Sequence, residues 1–338
     1  MSNANLPDFI ASLLCPEAYP HPTGEIKLVQ THISYVLLAG DFVYKIKKPV
    51  NFGFLDFTTL EKRQHFCARE VELNRRLCPD LYLGVVAITW DGAGFALDGP
   101  GVVVEYAVKM ARMDEAQMMG RIITAGQLTA ATLDQIVEIL VPFYERAAGG
   151  AELADFGNPD AVAVNVLENF QQTRGFVGCA SLSAAQFQRI DNYAQCFLER
   201  GELFGARIKA GRIRDCHGDL YSANICLSEP ILIFDCIEFN ERFRYCDVAS
   251  DVAFLAMDLD YHGLEELSRY FINRFVEKSG DQGLLTMLAF YKCYRAFVRG
   301  KIGLFTAHAP EVDAATQAAS LAQAGRYFQL AERYAGAS

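Results

Sequence analysis

The chain has 338 residues, a formal net charge of −10 at pH 7 and 21% charged residues. This length allows two domains or lobes with an ample core, and the acidic balance argues against a nucleic-acid partner, which would require a basic surface. The sequence contains no run of 18 apolar residues that would predict a transmembrane helix, and its first residues lack the pattern of a secretion signal. We therefore expect a cytoplasmic protein without a membrane partner, whose ten cysteines are reduced. No particular oligomeric state is indicated.

The first third of the chain has the pattern of a small β-rich lobe. Residues 26–39 contain two strand-like segments, and Phe42–Lys48 alternates with period two before Pro49 ends it. Lys45 and Lys47 fall on the same face of this strand, because side chains two residues apart point the same way. Two further strands are expected at Leu83–Thr89 and Gly101–Met110.

A single helix is expected between these strands. Thr58–Glu61 has the spacing of a helix start, and the helix should run to about Leu77, with Pro79 just beyond. Glu70 and Glu72 lie two residues apart and face about 200° apart on a helix. Only one of them can therefore face the sheet.

The pattern becomes mostly helical after Met113. Helices are expected near Leu133–Ala148, Ala161–Gln172, Ala184–Gly201, Val248–Leu259, Leu264–Ser279, Leu284–Thr306 and Ala314–Tyr334. The order of elements predicts an α+β fold with two lobes. The small β-rich lobe would span residues 1–108, a connection residues 109–113, and a large, mainly helical lobe residues 114–338.

The segment His217–Asn224 is the most informative motif in the chain. It has the form H-x-D-x-x-x-x-N, the spacing of a kinase catalytic loop. In such a loop Asp219 would hold the attacking hydroxyl and Asn224 would reach a metal ion. Asp235 ends the apolar run Ile231–Phe234, which is where a Mg²⁺ ligand is expected. The other interpretation is a surface turn followed by an ordinary buried strand, but the spacing from Asn224 to Asp235 favours the catalytic one.

The segments Asp215–Ile225 and Ile233–Asn240 resemble the aminoglycoside phosphotransferase family, which shares a protein-kinase-like fold with choline kinases. Gly218 stands where most protein kinases have arginine, as in that family. The resemblance extends to Tyr44–Asp56 and Tyr294–Arg299 and so covers most of the chain. It is strongest to an uncharacterised bacterial branch that is sometimes fused to a P-loop ATPase domain. No G-x-x-x-x-G-K-[ST] motif occurs, so we expect that domain to be absent.

The resemblance implies a lysine that binds the nucleotide phosphates and a glutamate that holds this lysine. Lys45 best matches the lysine of the kinase V-A-I-K strand, and Lys47 is the alternative. The family pattern places the acid seven residues before a core leucine, which is Glu70, with Glu72 as the alternative. We expect Lys45 and Glu70 to form an ion pair.

The predicted nucleotide site departs from that of kinases, because no G-x-G-x-x-G precedes Lys45. Phosphate contacts would come from backbone N–H groups in the turn Thr31–Ser34 and from the Ser34 hydroxyl. Adenine should lie against the lobe connection, near Met110. His217 is expected to hold the shape of its loop and to take no part in proton transfer.

Several charged residues follow the motif, and their interpretation stays open. Asp251 resembles the acid that braces the catalytic loop in the family, although Asp247 and Asp251 are equally suited to the start of a helix. Other acids could line an acceptor pocket or form a solvated acidic face: Glu238, Glu241, Asp258 and Asp260. Arg295 and Arg299 could meet an acidic substrate or pair with these carboxylates.

Four cysteines recur every ten residues: Cys216, Cys226, Cys236 and Cys246. Structural zinc sites usually contain close C-x-x-C pairs, which this sequence lacks. We interpret the four cysteines as small residues that pack around strands.

Together these features predict an ATP- and Mg²⁺-dependent phosphotransferase that transfers the γ-phosphate to a hydroxyl of a small molecule. The alternatives are an atypical protein kinase and a nucleotide-binding pseudokinase with a regulatory role. The segment between Asp235 and Asp247 contains no serine or threonine run of an activation loop, which disfavours a protein kinase. Every position that the chemistry requires is filled, which disfavours a pseudokinase.

Overall fold

The structure is a computed structural model that describes residues 6–309 and 312–336. These residues form two compact units. The sheet unit contains residues 6–118 and 224–241, and the helical unit contains residues 119–223 and 242–336 without residues 310–311.

Within the described residues the strands are β1 (Lys27–Gln30), β2 (Ser34–Ala39), β3 (Phe42–Lys47), β4 (Tyr82–Trp90), β5 (Phe95–Leu97), β6 (Val102–Ala111), β7 (Ile213–Asp215), β8 (Ile225–Cys226), β9 (Leu232–Ile233) and β10 (Tyr245–Asp247). The first six form an antiparallel sheet in the order β1-β2-β3-β6-β4-β5. β8 and β9 form an antiparallel hairpin in the sheet unit, and β7 pairs with β10 in the helical unit.

The helices of the described segments are α1 (Asp8–Ser12), α2 (Leu60–Asn74), α3 (Met119–Thr124), α4 (Ala130–Arg146), α5 (Ala151–Ala154), α6 (Pro159–Thr173), α7 (Ala184–Leu198), α8 (Gly201–Lys209), α9 (Glu241–Arg244), α10 (Val248–Tyr261), α11 (Glu265–Ser279), α12 (Leu284–Ala307) and α13 (Ala314–Gly336). The expected α+β fold, with a β-rich part and a mainly helical part, is confirmed by the two units. No helix among residues 6–309 and 312–336 is both long enough and apolar enough to cross a membrane.

Strand β3 is covered on both faces, which decides where its lysines point. Tyr44 and Ile46 pack into a core with Ile10 on one face, while Val43 packs towards Val71 of α2 on the other. The two lysines of β3 alternate with Tyr44 and Ile46, so they lie on the α2 face. Their charges therefore need partners there, because a buried charge without a partner is costly.

Helix α2 begins as its sequence predicts. Thr59 is the N-cap, and its side chain accepts a hydrogen bond from the Lys62 N–H. The α-helix ends at Asn74, earlier than the predicted Leu77, and a tighter turn continues from Asn74 to Leu77 through a hydrogen bond of 3.1 Å.

The structure differs from the expected domain bounds in three places. Strand β6 runs through Ala111, because its ladder with β3 and β4 continues there, and so it covers part of the predicted connection at 109–113. The helical unit begins after Met118. The segment 224–241 belongs to the sheet unit, to which the Cys78 thiol links it through the Ile233 carbonyl at 3.3 Å.

The secondary structure contains elements that were not expected, among them α1, α3, β5 and α8. The short strand β5 pairs with β4. The predicted helix Ala184–Gly201 ends at Leu198 as α7, and a further helix, α8, begins at Gly201 after Arg200 leaves the helical conformation with φ −82° and ψ 59°.

The helical unit is built around α10, whose residues Val248–Asp260 are all buried. Helices α11, α12 and α13 pack against it. Asp247 caps α10 by accepting the Ala249 N–H at 2.9 Å. Arg207 joins this cap to a second buried acid: its Nη2 lies 2.7 Å from Asp247 Oδ1 and 2.7 Å from Asp281 Oδ2.

We predict that Arg207→Met lowers the free energy of unfolding by about 3–5 kcal/mol, because the buried Asp247 loses this cationic partner and the buried Asp281 keeps the more distant Arg212, whose Nε lies 3.6 Å from Asp281 Oδ2. The exposed Arg200 lies over the Phe197 ring and serves as a control; Arg200→Met should cost less than about 1 kcal/mol. Urea unfolding of both variants measures the difference. Equal midpoints for the two variants would contradict the role of Arg207.

Candidate functional site

Two lysines of β3 share one buried carboxylate on α2. Lys45 Nζ lies 2.8 Å from Glu70 Oε1, and Lys47 Nζ lies 2.7 Å from Glu70 Oε2. The side chain of Glu70 is fully buried. The Lys45–Glu70 ion pair predicted from the sequence is confirmed, and Lys47 is a second partner of Glu70 in addition to Lys45.

Glu72, the alternative acid, is on the other side of α2. Its side chain is 66% exposed and forms an ion pair with Arg69 at 2.5 Å. The nearby Arg75 and Arg76 donate to backbone carbonyls. The helix geometry that separates Glu70 from Glu72 therefore assigns the buried pairing to Glu70.

The charges around Glu70 set its protonation. Burial alone would raise the pKa of the Glu70 carboxyl, but Lys45 and Lys47 outweigh burial and lower this pKa from 4.5 to about 2. Burial alone would lower the pKa of Lys45, but Asp235 and Glu70 hold it well above its usual range. Glu70 and Lys45 are therefore both charged at neutral pH.

Asp235 is the second carboxylate that forms an ion pair with Lys45, after Glu70. Its Oδ1 lies 2.5 Å from Lys45 Nζ, and its side chain is 43% exposed. Its backbone has φ 62°, a left-handed conformation that is uncommon outside glycine and needs support from its surroundings. The support comes from the sheet unit: the Tyr82 hydroxyl accepts the Asp235 N–H at 3.2 Å, and Asn74 Oδ1 accepts the Cys236 N–H at 2.9 Å.

The β8–β9 hairpin brings Asn224 to the same place in the sheet unit. Its register pairs Ile225 with Ile233, and the Phe234 N–H donates to the Asn224 carbonyl at 3.0 Å. Asn224 is thus opposite the residue that precedes Asp235.

A carboxylate and an amide oxygen at one end of a hairpin are suitable ligands for Mg²⁺. This ion is usually bound by one or two carboxylates together with water and substrate phosphates. Within residues 6–309 and 312–336, no group of three His, Cys, Asp or Glu side chains is arranged to hold a metal ion. Asn224 and Asp235 are oxygen donors of the kind that Mg²⁺ prefers, and their role as metal ligands stays a prediction.

Glu238 is the fifth charged residue of a cluster that also contains Lys45, Lys47, Glu70 and Asp235. Its position in this cluster was not predicted from the sequence. It is buried and forms an ion pair with Lys47, so the expectation of a solvated acidic face is wrong for this residue. Burial raises the pKa of the Glu238 carboxyl, against the opposing effect of Lys47. In the sequence Glu238 lies three residues after Asp235. This spacing places it near the predicted site but does not indicate that it pairs with a lysine.

In the helical unit, Asp251 braces the loop that carries the catalytic motif. Its Oδ2 accepts the His217 N–H at 2.8 Å, and its Oδ1 accepts the Gly218 N–H at 2.9 Å. The hydroxyl of Tyr144, which the sequence did not single out, donates to Asp251 Oδ2 at 3.0 Å. The role expected for Asp251 from the family resemblance is confirmed.

The remaining contacts of this loop fix its shape. His217 is fully buried, and its Nδ1 accepts the Asp219 N–H at 3.2 Å, which supports a structural role. Arg295 is buried, and its Nη1 donates to the Gly218 carbonyl at 2.9 Å, so it holds the loop backbone. The Arg299 guanidinium lies 4.7 Å from the centre of the Tyr221 ring. Asp219 itself is partly exposed.

Two other acids of the expected acidic face are also buried and engaged. Asp258 Oδ2 accepts the Ser222 N–H at 3.0 Å, and Asp260 Oδ2 accepts a hydrogen bond from Lys292 at 2.9 Å. The expected solvated face is therefore wrong for both, because α10, which carries them, is covered by its neighbours. Glu241 is exposed.

Ser34 and Met110, the other two residues predicted to contact the nucleotide, both lie in strands of the sheet. Ser34 is the first residue of β2 and is 1% exposed, and its hydroxyl has no hydrogen-bond partner among the described residues. Met110 lies within β6 opposite Val43, and not in a connection, because the sheet continues to Ala111. Their contacts with a nucleotide stay predictions.

The four regularly spaced cysteines are free thiols. Cys216, Cys226 and Cys236 are buried, and Cys246 is half-buried. Their interpretation as packing residues agrees with these positions.

The chain is similar to known proteins both in sequence and in structure. No family model matches the chain. Uncharacterised proteins of Mycobacterium tuberculosis and Mycobacterium bovis are 38% identical over 288 residues, which is 83% of this chain and 56% of theirs. The chain thus spans about half the length of these curated relatives.

The similar solved structures include choline/ethanolamine kinase-like and aminoglycoside phosphotransferase proteins. A choline/ethanolamine kinase family protein from Mesorhizobium loti is 14% identical, with a TM-score of 0.49 over 94% of this chain and 95% of the other. A spectinomycin phosphotransferase, solved with ADP and spectinomycin, is 10% identical, with a TM-score of 0.49 over 97% of both chains. At these values the role of each residue has to follow from the geometry of this chain.

We predict that Glu70→Gln lowers the free energy of unfolding at neutral pH by about 3–5 kcal/mol, since two buried lysines lose their shared carboxylate. The pKa of Glu70 is lower in the folded than in the unfolded state. The stability it contributes is therefore present above about pH 4.5 and is lost as the pH falls towards 2. Denaturant unfolding across this range should show the gap between wild type and variant closing at low pH.

Glu72→Gln on the same helix is the matched control and should cost less than about 1 kcal/mol, because its ion pair is exposed. Equal effects of the two substitutions, or a gap for Glu70→Gln that stays constant between about pH 4.5 and 2, would contradict the assignment.

Proposed function

We propose that this chain is an ATP- and Mg²⁺-dependent phosphotransferase that moves the γ-phosphate of ATP to a hydroxyl group of a small molecule. The observation that carries the proposal is the position of Lys45 Nζ, 2.8 Å from Glu70 Oε1 and 2.5 Å from Asp235 Oδ1. A lysine held by a helix glutamate beside a metal-binding aspartate is the arrangement by which kinases bind phosphates and metal.

The proposed roles follow from charge and exposure. Lys45 binds the phosphates, and Asp235 and Asn224 provide oxygen ligands for Mg²⁺, which would neutralise part of the phosphate charge. Phosphoryl transfer depends mainly on positioning and electrostatic stabilisation. A preformed cluster of charged groups around Lys45 is suited to this task.

Asp219 is proposed to orient the acceptor hydroxyl and to accept its proton. This role requires a carboxylate that a substrate can reach, on a backbone that does not move. Asp219 is partly exposed, while the residues before it are held by Asp251 and Arg295. A small-molecule acceptor is the partner that this proposal requires.

We predict that ATP stabilises the protein against heat much more with Mg²⁺ than with EDTA. The gain should be about 2–3 kcal/mol when free ATP is 100 times its Kd. Asp235→Asn should remove most of the Mg²⁺-dependent part, because it removes the negative charge that would bind the metal. Asp98→Asn is the matched control, since Asp98 also has a positive φ, 48°. A gain that is equal in EDTA would exclude the metal role of Asp235.

We predict that Asp219→Asn lowers phosphate transfer by a factor of about 10²–10⁴, the usual contribution of a general base. Nucleotide binding should remain, because Asp219 contacts the acceptor and not the metal. Slow ATP hydrolysis, with water as the acceptor, provides an assay before the acceptor is known. Asp80→Asn, at an exposed position, is the control. If wild type and Asp219→Asn hydrolyse ATP equally slowly, and no hydroxyl compound in a metabolite panel accelerates wild type, the chain is a binding module.

A further inference from the structure

Two lysine–carboxylate pairs join β3 to the segment that follows β9, and they differ in burial. The side chains of Lys45 and Asp235 are 17% and 43% exposed, whereas those of Lys47 and Glu238 are 1% and 5% exposed. A partly exposed ion pair can exchange partners at little cost. A buried pair opens only at a high cost, because each charge would be left unpaired.

Lys47 contacts three separate segments of the sheet unit. Its Nζ lies 2.7 Å from Glu70 Oε2 on α2, is paired with Glu238 after β9, and lies 4.9 Å from the centre of the Phe57 ring before α2. Since Lys45 occupies the other oxygen of Glu70, the two lysines do not compete for the same atom.

The proposed function makes conflicting demands on the exposed pair. Lys45 has to bind phosphates and Asp235 has to bind the metal, so the Lys45–Asp235 contact has to open when the metal–nucleotide complex binds. Opening removes one of the two ionic links between β3 and the segment 235–238. The Lys47–Glu238 link lies deeper and is not needed by the ligand.

We infer that Lys47 and Glu238 are positioning residues: their pair is a permanent link that keeps Asp235 beside Lys45 while the Lys45–Asp235 pair opens to receive the metal and the phosphates. This inference rests on the proposed function. Glu238 acts through the three peptide bonds that separate it from Asp235. The backbone N–H of Asp235, held by the Tyr82 hydroxyl, and that of Cys236, held by Asn74, form the neutral part of the same support.

The test uses the full chain with Lys47→Met and Glu238→Leu combined. Replacing both partners of a buried ion pair by apolar residues of similar size is often neutral for stability, and the neighbouring Phe57 ring is an apolar surface. Glu70 also loses Lys47 in this variant, but it keeps its ion pair with Lys45. Lys48→Met is the matched control, because Lys48 is the next lysine in the chain and donates to Gln30 on the edge strand β1.

Calorimetry would measure the binding of ADP with and without Mg²⁺. The double variant should bind Mg²⁺–ADP about 10–100-fold more weakly than wild type, the usual effect of losing an outer support of a metal ligand. It should bind metal-free ADP as wild type does. Lys48→Met should match wild type in both conditions.

Hydrogen exchange gives a readout that does not depend on activity. The amides of Asp235 and Cys236 should be protected equally in wild type and in the double variant without ligand, because the Lys45–Asp235 pair is then closed. With saturating Mg²⁺–ADP, these amides should stay protected in wild type and lose protection in the double variant. A purely structural role of Lys47 would lower protection in both conditions alike.

The outcomes separate this inference from the proposed function. Wild-type protein that does not bind ADP in a Mg²⁺-dependent way overturns the proposed function and this inference with it. Mg²⁺-dependent binding that is unchanged in the double variant overturns only the inference. If the double variant does not fold, Glu238→Gln decides, since it keeps a hydrogen-bond acceptor for Lys47 but removes the charge. Unchanged Mg²⁺–ADP affinity in Glu238→Gln also overturns the inference.

Discussion

The sheet unit depends on one buried carboxylate that is shared by two lysines. Glu70 forms ion pairs with Lys45 through Oε1 and with Lys47 through Oε2, so it provides a negative charge for both lysines that β3 directs onto the α2 face. One turn later on α2, Asn74 donates to the Glu70 carbonyl at 2.8 Å and accepts the Cys236 N–H. The same helix face therefore holds the lysines and the segment that carries Asp235, because residues four apart are neighbours on a helix.

In the helical unit, one buried carboxylate likewise has several partners, and it holds the loop that carries the H-x-D-x-x-x-x-N motif. A single carboxylate, Asp251, accepts two consecutive backbone N–H groups, and Tyr144 donates to the same carboxylate. Arg295 completes the support from α12 through the Gly218 carbonyl. Hydrogen bonds to a carboxylate are stronger than neutral ones, so these contacts hold the backbone that precedes the partly exposed Asp219.

Much of this arrangement could be predicted from local patterns. The period of β3 placed Lys45 and Lys47 on one face, and helix spacing showed that Glu70 and Glu72 cannot both face the same side. The choice of Lys45 and Glu70 came from the family resemblance. The Lys47–Glu238 pair could not be predicted in this way, because the two residues are 191 positions apart and periodicity gives no information on long-range pairing. Local patterns likewise could not predict that the segment 224–241 belongs to the sheet unit, because this depends on its contacts with residues that are distant in sequence. Strand β5 is too short for a clear pattern.

The sheet unit is discontinuous in sequence, since residues 224–241 complete what residues 6–118 begin. This affects how the protein can be divided. A polypeptide cut after Met118 would retain both lysines and Glu70 but would lack Asp235 and Glu238, so two cations would share one anion in a buried place. Such a fragment would carry an unbalanced charge at its centre. A protease that cuts after Met118 should therefore yield two pieces that stay associated through the sheet unit more readily than two separate stable halves.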